Sequence, residues 1–346
     1  MKRKIYAVHK WCGLIAGLFI SLMGISGAIL VFHDEIEQHE HRDLWHIDND
    51  RAVNIDNAYI LISRKFPNAD IRIIRFSKNP KETLIFSLKS KDYRVLVFAH
   101  PSQGTILKIV DNNTTVRQII LNFHYSFYSG SFGKVFVFII GLIFLISLLT
   151  GLFIYRKSFA RIILFRSPFN RKSSGGMYAS VHHYIGVWAL ILNLMLVITG
   201  SLIAFDNLSH GAALSNDIPH TKVSIDRALN SIRKRYPNFT ATYIRYPTAL
   251  NASIEINGKV KDDPFYWTQY YNKIEVNTTT GDISNLVLTS QSGKGKKTAS
   301  LVGVLHLVEF KNIWAKILFC LAGLSAPVLS ITGFFMWKRK RRQVVR

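Results

Sequence analysis

Four apolar stretches constrain the fold of this 346-residue chain more than any other feature of its sequence. Each is about 21 residues long and contains no Lys, Arg, Asp or Glu; they cover residues 12–32, 135–155, 184–205 and 317–337. A helix of this length rises about 30 Å, the thickness of the hydrocarbon core of a bilayer. The sequence therefore predicts four transmembrane helices. The first is predicted to be a retained anchor, because its apolar run is too long for a signal peptide.

Basic residues flank these stretches and predict the orientation of the helices. The formal net charge is +23, and segments 2–10, 156–172 and 338–346 carry Lys and Arg but no Asp or Glu. By the positive-inside rule, both termini and the middle loop are predicted to be cytoplasmic. Much of the positive charge is thus explained by membrane topology. Membrane lipid is a predicted partner, and nucleic acid is not.

The two halves of the chain resemble each other in sequence. An offset of 173 residues aligns the first apolar stretch with the third, and the aligned pairs include His9/His182, Gly13/Gly186 and Gly27/Gly200. An offset of 182 aligns the second stretch with the fourth, pairing His124/His306, Thr150/Thr332 and Gly151/Gly333. Such self-similarity predicts a tandem repeat in which each half contributes two helices.

The segments between the helices also correspond. Each has a helical period ending at a similar motif, Phe66-Pro67-Asn68 in one half and Tyr236-Pro237-Asn238 in the other. Helices are predicted at 55–66 and 225–236, and β-rich stretches follow at 83–88, 93–98, 252–256 and 267–276. Both copies then reach a turn containing Gly. Each segment is therefore predicted to form a small α+β module.

Together these features resemble the PepSY-associated transmembrane family. They are the His-x-x-x-Gly opening of the first helix, the helix–Phe-Pro-Asn–strand module, and helices ending in Thr-Gly before a basic tail. The resemblance covers nearly the whole chain. It implies an α+β membrane protein with four transmembrane helices in a bundle, built from two tandem repeats that each carry a small external PepSY-like module. Some members of the family are ferric-siderophore reductases of the bacterial inner membrane with two b-type haems.

The resemblance and the charge pattern together predict a layout for the chain. Transmembrane helices are expected at 1–33, 121–157, 181–206 and 303–337, and external PepSY-like modules at 34–120 and 207–302. A cytoplasmic basic loop is expected at 158–180 and a cytoplasmic basic tail at 338–346. The predicted location is the bacterial inner membrane.

Topology sorts four repeat-related histidines into two pairs. His9 and His182 are predicted at the inner ends of helices 1 and 3, and His124 and His306 at the outer ends of helices 2 and 4. Imidazole is a usual ligand of haem iron, and such sites are built between the helices of bundles. With the family resemblance, this predicts two haem b groups whose iron has axial ligands His9 with His182 and His124 with His306. The chain has no Cys-x-x-Cys-His attachment motif, so both haems are expected to be non-covalent.

Two glycines and one neighbouring histidine lie close in sequence to His9 and His182. Gly13 and Gly186 lie four residues after His9 and His182, on the same helix face, and are predicted to leave room for the cofactor. Close helix packing would favour the same small residues. His183 competes with His182 as ligand, and the repeat alignment favours His182.

Two further predictions concern the external side. If helix 2 continues upward, His124 lies about 15 Å beyond Lys134, at or above the membrane surface, although Gly130 and Gly133 could break the helix. A group of histidines follows helix 1 and could contact a metal or an iron chelate, or could simply belong to a charged linker; its members are His33, His39, His41 and His46.

The predicted function is electron transfer through two haems to a ferric siderophore or other ferric chelate outside the membrane, releasing iron for uptake. The electron donor, a quinol or a cytoplasmic reductase, stays open, as do the chelate and the oligomeric state. The alternative is a non-enzymatic protein whose external modules bind or inhibit a partner. A transporter is disfavoured because none of the four apolar stretches contains a charged residue.

Overall fold

The computed structural model describes residues 2–76, 79–209, 218, 220–249 and 252–344. These residues form two compact units. The helical unit takes its described residues from 2–33, 120–209 and 305–344, and the sheet unit takes them from within 34–119 and 218–304. Both halves of the chain therefore contribute to both units.

The helices and strands are numbered in chain order. The helices are α1 (Lys2–Leu30), α2 (His33–Glu40), α3 (Arg42–Trp45), α4 (Ile55–Lys65), α5 (Val116–Ser126), α6 (Gly130–Tyr155), α7 (Phe159–Ile163), α8 (Ser174–Trp188), α9 (Leu190–Ser209), α10 (Ile225–Arg235), α11 (Lys294–Leu307) and α12 (Ile313–Val344). The strands are β1 (Asp70–Arg75), β2 (Leu84–Lys89), β3 (Arg94–Ala99), β4 (Ile106–Asp111), β5 (Phe239–Arg245), β6 (Ile254–Val260), β7 (Lys273–Val276) and β8 (Ile283–Val287).

Four helices of the helical unit are long and apolar enough to cross a membrane: Lys2–Leu30, Gly130–Tyr155, Leu190–Leu208 and Ile313–Arg341. A helix pairs its own backbone N–H and C=O groups, which hydrocarbon cannot do, so these apolar segments are stable as helices in lipid. α1 packs against α6 and α12, α9 packs against α6, and α8 packs against α12. The described residues thus contain four candidate membrane-spanning helices, as predicted.

Small residues allow α1 and α12 to approach closely. A Cβ atom added at Gly323 would lie 2.8 Å from the carbonyl oxygen of Gly24, and one at Gly24 would collide with the carbonyl of Gly323. Any larger side chain at either position would push the helices apart. Backbone-to-backbone packing of this kind is how membrane helices associate in the absence of a hydrophobic driving force.

The third predicted helix, at 181–206, differs from the structure. It is divided into α8 and α9, with Ala189 between them at φ −85° and ψ −5°. The N–H of Ala189 still donates to the carbonyl of Ile185 at 2.9 Å, so the break is a local bend that keeps the backbone paired. No Gly or Pro marks this position in the sequence, and the apolar run is continuous through it.

The second and fourth predicted helices each begin with a separate short helix. α5 ends at Ser126, and Phe127, Tyr128 and Gly130 then have φ values of 46°, 59° and 55° before α6 continues. A Cβ at Gly133 would collide with the carbonyl of Ser126, so the end of α5 lies against the start of α6. Helix 2 therefore does not continue upward to His124, because these left-handed residues turn the chain near the glycines where a break was possible.

The same arrangement occurs between α11 and α12. Val308 has a φ of 54° and separates the two helices, so His306 lies on α11 and not on the membrane-spanning helix. Left-handed backbone is uncommon for a residue with a β-branched side chain. Val308 is buried against Val31 and Phe319, and this packing holds the turn in place.

The sheet unit contains one eight-stranded antiparallel sheet with the order β4-β3-β2-β1-β5-β6-β7-β8. Strands β1 to β4 and strands β5 to β8 each follow one another in the sheet, and the pairing of β1 with β5 joins the two sets. Helices α4 and α10 share the main core with one face of the sheet; its fully buried members include Ile62, Phe86, Ile232 and Ile244. The amphipathic pattern of both helices explains this layering.

A buried carboxylate lies where β1 meets β5. Asp70 is fully buried and accepts hydrogen bonds from Arg72 Nε at 3.1 Å and from Arg245 Nη2 at 3.0 Å. Burial alone would raise the pKa of Asp70, but the hydrogen bonds and charges of the two arginines outweigh it and lower the pKa of this carboxyl. The ionised Asp70 thus joins a strand from each half of the chain.

Candidate functional site

The structure brings His9 and His182 together in the helical unit. His9 lies on α1 and His182 on α8, and the centres of their imidazole rings are 6.3 Å apart with an angle of 79° between the ring planes. Both rings are half-buried, so part of each stays accessible. We call these two residues the first histidine pair.

Each ring of this pair is oriented by a hydrogen bond at Nδ1. His9 Nδ1 lies 2.9 Å from the carbonyl oxygen of Ser147, and His182 Nδ1 lies 3.1 Å from that of Leu329. A carbonyl only accepts, so Nδ1 carries the hydrogen in both rings. In the neutral imidazole, Nε2 then keeps its lone pair and can bind a metal. Such a hydrogen bond is the usual support of a ligating histidine.

Glycines on the facing helices make room for these rings. A Cβ at Gly151 would lie 3.1 Å from His9 Cε1, and a Cβ at Gly333 would lie 3.4 Å from His182 Cε1. Gly151 is on α6 and Gly333 is on α12. The Cε1 edge of each ring therefore approaches a helix surface that has no side chain at that point.

A cavity of about 480 Å³ lies beside the first histidine pair. Its lining includes His9 and His182 together with Gly13 and Gly186, the two glycines predicted from the sequence. His183 also lines it, but its ring contacts that of Tyr155 at 4.6 Å, and the ring paired with His9 is that of His182. The cavity can accommodate a ligand larger than a metal ion next to the two imidazoles.

A second histidine pair is formed by His124 on α5 and His306 on α11. Their ring centres are also 6.3 Å apart, with an interplanar angle of 45°. His124 Nδ1 lies 3.0 Å from Ser26 Oγ, and His306 Nδ1 lies 3.1 Å from Thr199 Oγ1. Both rings are half-buried.

The hydroxyl groups at the second pair fix the same tautomer. Ser26 Oγ donates to the carbonyl of Leu22 at 2.9 Å, and Thr199 Oγ1 donates to that of Met195 at 2.7 Å. With its own hydrogen engaged, each hydroxyl accepts from the histidine beside it. Nδ1 is therefore protonated in His124 and His306, and Nε2 is again the nitrogen with a free lone pair.

Glycines lie against the second pair as well. A Cβ at Gly27 would lie 3.1 Å from His124 Cε1, and a Cβ at Gly200 would lie 2.7 Å from His306 Cε1. These contacts also place His124 beside residues 26 and 27 of α1, about 8 Å below residue 32 at the end of the first apolar stretch. The second pair therefore lies at a depth within the apolar stretch. The expectation from the sequence was a position at or above the membrane surface.

These supporting residues were visible in the sequence but were not recognised as part of the site. The repeat offsets already paired Gly27 with Gly200 and Gly151 with Gly333. In the structure, each of the four glycines contacts one of the four histidines. The pairing by offset was therefore a usable signal. The contact of each glycine with its histidine could not be read from the sequence.

The dimensions of both pairs agree with two imidazoles on opposite sides of one metal. A bond of about 2 Å from each nitrogen to the metal, and roughly 1 Å from that nitrogen to its ring centre, give a separation near 6 Å. The observed 6.3 Å matches this value in both pairs. Among the described residues there is no group of three or more His, Cys, Asp or Glu side chains that could hold a metal ion. At the first pair, two imidazoles beside a cavity of about 480 Å³ would fit haem.

The histidines that follow helix 1 do not form a joint site. His41 is buried against Phe98, with ring centres 5.1 Å apart, while Glu37 pairs with Arg117 at 3.2 Å. The described residues around them include no group of three or more His, Cys, Asp or Glu side chains that could hold a metal ion. This segment belongs to α2 and α3, where it packs against other parts of the chain.

The four long apolar helices and the two histidine pairs define a multi-pass membrane protein with paired imidazoles in its helical unit. The chain belongs to the family described as the PepSY-associated TM region, whose model matches residues 6–340. The family resemblance noted in the sequence is thereby confirmed. Comparison with curated proteins gives no match.

Proposed function

We propose that this protein is an electron-transfer protein of the bacterial inner membrane that reduces ferric siderophores or other ferric chelates on the periplasmic side through two b-type haems. The observation that carries the proposal is the pair of His–His sites, each 6.3 Å between ring centres with every Nδ1 engaged. His9 and His182 would hold one haem iron, and His124 and His306 the other. Bound there, haem supplies one-electron redox chemistry.

The orientation follows from the basic segments. We infer that both termini and the loop between α6 and α8 are cytoplasmic, since Lys and Arg are concentrated there. The first histidine pair then belongs to the cytoplasmic half of the membrane and the second to the periplasmic half. We further infer that the two halves are tandem repeats, each with a PepSY-like module. The element order α4-β1-β2-β3-β4 recurs as α10-β5-β6-β7-β8, which supports this inference.

The chain's own residues then have separate tasks. His9 and His182 would hold the haem nearer the electron donor, a quinol or a cytoplasmic reductase, and His124 and His306 would hold the haem nearer the ferric chelate. The hydrogen bonds at Nδ1 hold the ring orientations, and the apolar helices exclude water. Reduction of the chelated iron favours its release, because Fe²⁺ is a weaker Lewis acid than Fe³⁺ for hard oxygen ligands.

The cofactor content tests this proposal directly. Pyridine haemochrome analysis of the purified protein is expected to give about two non-covalent haems per chain. His9→Ala and His182→Ala should remove one haem, while His124→Ala and His306→Ala should remove the other. A folded but colourless protein would contradict the proposal and favour the alternative, in which the external modules bind a partner without electron transfer.

The reaction is tested with protein in liposomes. Pre-reduced protein should be reoxidised by a ferric siderophore added outside, and His306→Ala should block this while the first pair's haem stays reducible. If an external chelate leaves the reduced spectrum unchanged while an acceptor inside the liposome oxidises it, both the direction and the reductase assignment are wrong.

A further inference from the structure

The cavity beside the first histidine pair is apolar along most of its wall and cationic at one end. Its apolar lining includes Leu14, Phe144 and Leu148. Three cationic side chains also line it: Lys10, Lys340 and Arg341. None of the described lining residues carries a carboxylate. The positive charge at this end therefore has no acidic partner within the cavity wall.

Lys340 and Arg341 lie at the end of the cavity nearest the chain termini, and Lys10 lies next to the first histidine pair. Lys10 directly follows His9 on α1, and Lys340 lies seven residues after Gly333 on α12, about 10 Å along the helix axis. Because Gly333 contacts His182, this places Lys340 and Arg341 beyond the histidine pair and toward the helix end.

Aromatic rings lie against the charged ends of two of these cations without neutralising them. Lys340 Nζ lies 5.3 Å from the ring centre of Tyr6, and the Arg341 guanidinium lies 5.4 Å from that of Trp337. Cation–π contacts of this kind fix a position while the charge stays available to an anion. An apolar cavity with such a rim suits a ligand with an apolar body and an anionic end.

We propose that Lys10, Lys340 and Arg341 form an anion-binding subsite that receives the propionate carboxylates of the haem held by His9 and His182. The proposal rests on the proposed function, since it assigns residues to a haem bound there. Arg can bind a carboxylate in a bidentate manner, and Lys binds it as a point charge. Phosphate groups of anionic lipids have the same charge and are the other source of anions at this end of the helices.

Haem and its dimethyl ester distinguish these sources, because the ester has the same apolar body but no carboxylate. We suggest measuring the binding of both to protein from haem-depleted cells, in a His124→Ala/His306→Ala background that leaves only the first site. Protein that keeps Lys10, Lys340 and Arg341, which we call the cationic rim, should bind haem roughly 100-fold more tightly than the ester. This factor comes from two charge-assisted contacts of about tenfold each. The Lys10→Gln/Lys340→Gln/Arg341→Gln variant should reduce this preference to about threefold or less.

A control with the same loss of charge keeps the test specific. Lys4, Arg161 and Lys338 are exposed and do not line the cavity, so their joint replacement by Gln should leave the preference unchanged. Should the rim variant fail to fold, Lys340→Gln alone should lower the preference about tenfold, and Lys340→Arg should restore it.

The outcomes separate the two proposals. Absence of haem uptake in the unmodified protein would refute the proposed function, whereas normal uptake with an unchanged preference in the rim variant would refute only the subsite.

A second experiment measures the effect of an anionic lipid on haem binding, in nanodiscs with and without phosphatidylglycerol. A rim variant that alters only the response to this lipid would assign the cations to headgroups and overturn the proposal. A lower midpoint potential of the first haem in the rim variant would support it, because cations nearby destabilise the oxidised form.

Discussion

The four glycines that contact the histidines allow a graded test of the site. Replacing each with Ala adds one Cβ at a known distance from a histidine Cε1: 2.7 Å at Gly200, 3.1 Å at Gly27 and at Gly151, and 3.4 Å at Gly333. A carbon pair is unstrained at about 3.5 Å or more. The ring must therefore shift by several tenths of an ångström for Gly200→Ala and hardly at all for Gly333→Ala.

The expected costs follow from these shifts. Overpacking a tight site by one methyl group costs about 1–3 kcal/mol, and each 1.4 kcal/mol corresponds to a tenfold change in affinity. Gly200→Ala should therefore weaken haem retention at the second pair by roughly 30-fold. Gly27→Ala and Gly151→Ala should each have an effect of about fivefold, and Gly333→Ala less than about threefold.

The measurement is the rate at which haem leaves each purified variant for an excess of a haem scavenger, followed by the Soret absorbance. Gly295→Ala is the matched control, because this glycine lies on α11 with His306 and an added Cβ there meets nothing within 4 Å. If Gly333→Ala loses haem as fast as Gly200→Ala, or if the control does so, the glycines do not act through their contact with the imidazoles.

Two further predictions address the neighbouring histidine and the sheet unit. His183→Ala should keep both haems and His182→Ala should lose one, since the ring paired with His9 is that of His182. Haemochrome analysis measures the haem content of each variant. The reverse result would show that His183, and not His182, is the ligand. Asp70→Asn should destabilise the sheet unit by about 2 kcal/mol at neutral pH, because it leaves Arg72 and Arg245 without their buried carboxylate. The lowered pKa of Asp70 means that this contribution is complete above about pH 4 and is lost as the pH falls through the folded-state pKa. The thermal unfolding midpoints of the variant and the wild-type chain should thus differ at pH 7 and become equal in strong acid. A difference in midpoint that persists in strong acid would exclude the ionised carboxylate as its cause.

Local sequence patterns were sufficient for much of the secondary structure. Helices predicted at 55–66 and 225–236 are α4 (Ile55–Lys65) and α10 (Ile225–Arg235), and the strand predicted at 93–98 is β3 (Arg94–Ala99). The stretch at 267–276 was less accurate, because only Lys273–Val276 forms a strand. Thr268 instead donates its backbone N–H to Ser300 Oγ at 2.8 Å. An aromatic-rich pattern cannot distinguish a strand from a loop held by such a contact.

The sequence by itself determined the four apolar helices, because helix formation in lipid depends on local composition and on backbone hydrogen bonds within one segment. It also determined which histidines correspond, through the two offsets. The tertiary structure decided what surrounds each ring: His9 Nδ1 bonds to a residue 138 positions away, and His124 to one 98 positions away. It also decided the depth of His124, since the left-handed backbone of Phe127, Tyr128 and Gly130 turns the chain between α5 and the rest of α6. Contacts between distant segments and backbone reversals depend on packing, for which hydrophobic periodicity has no signal.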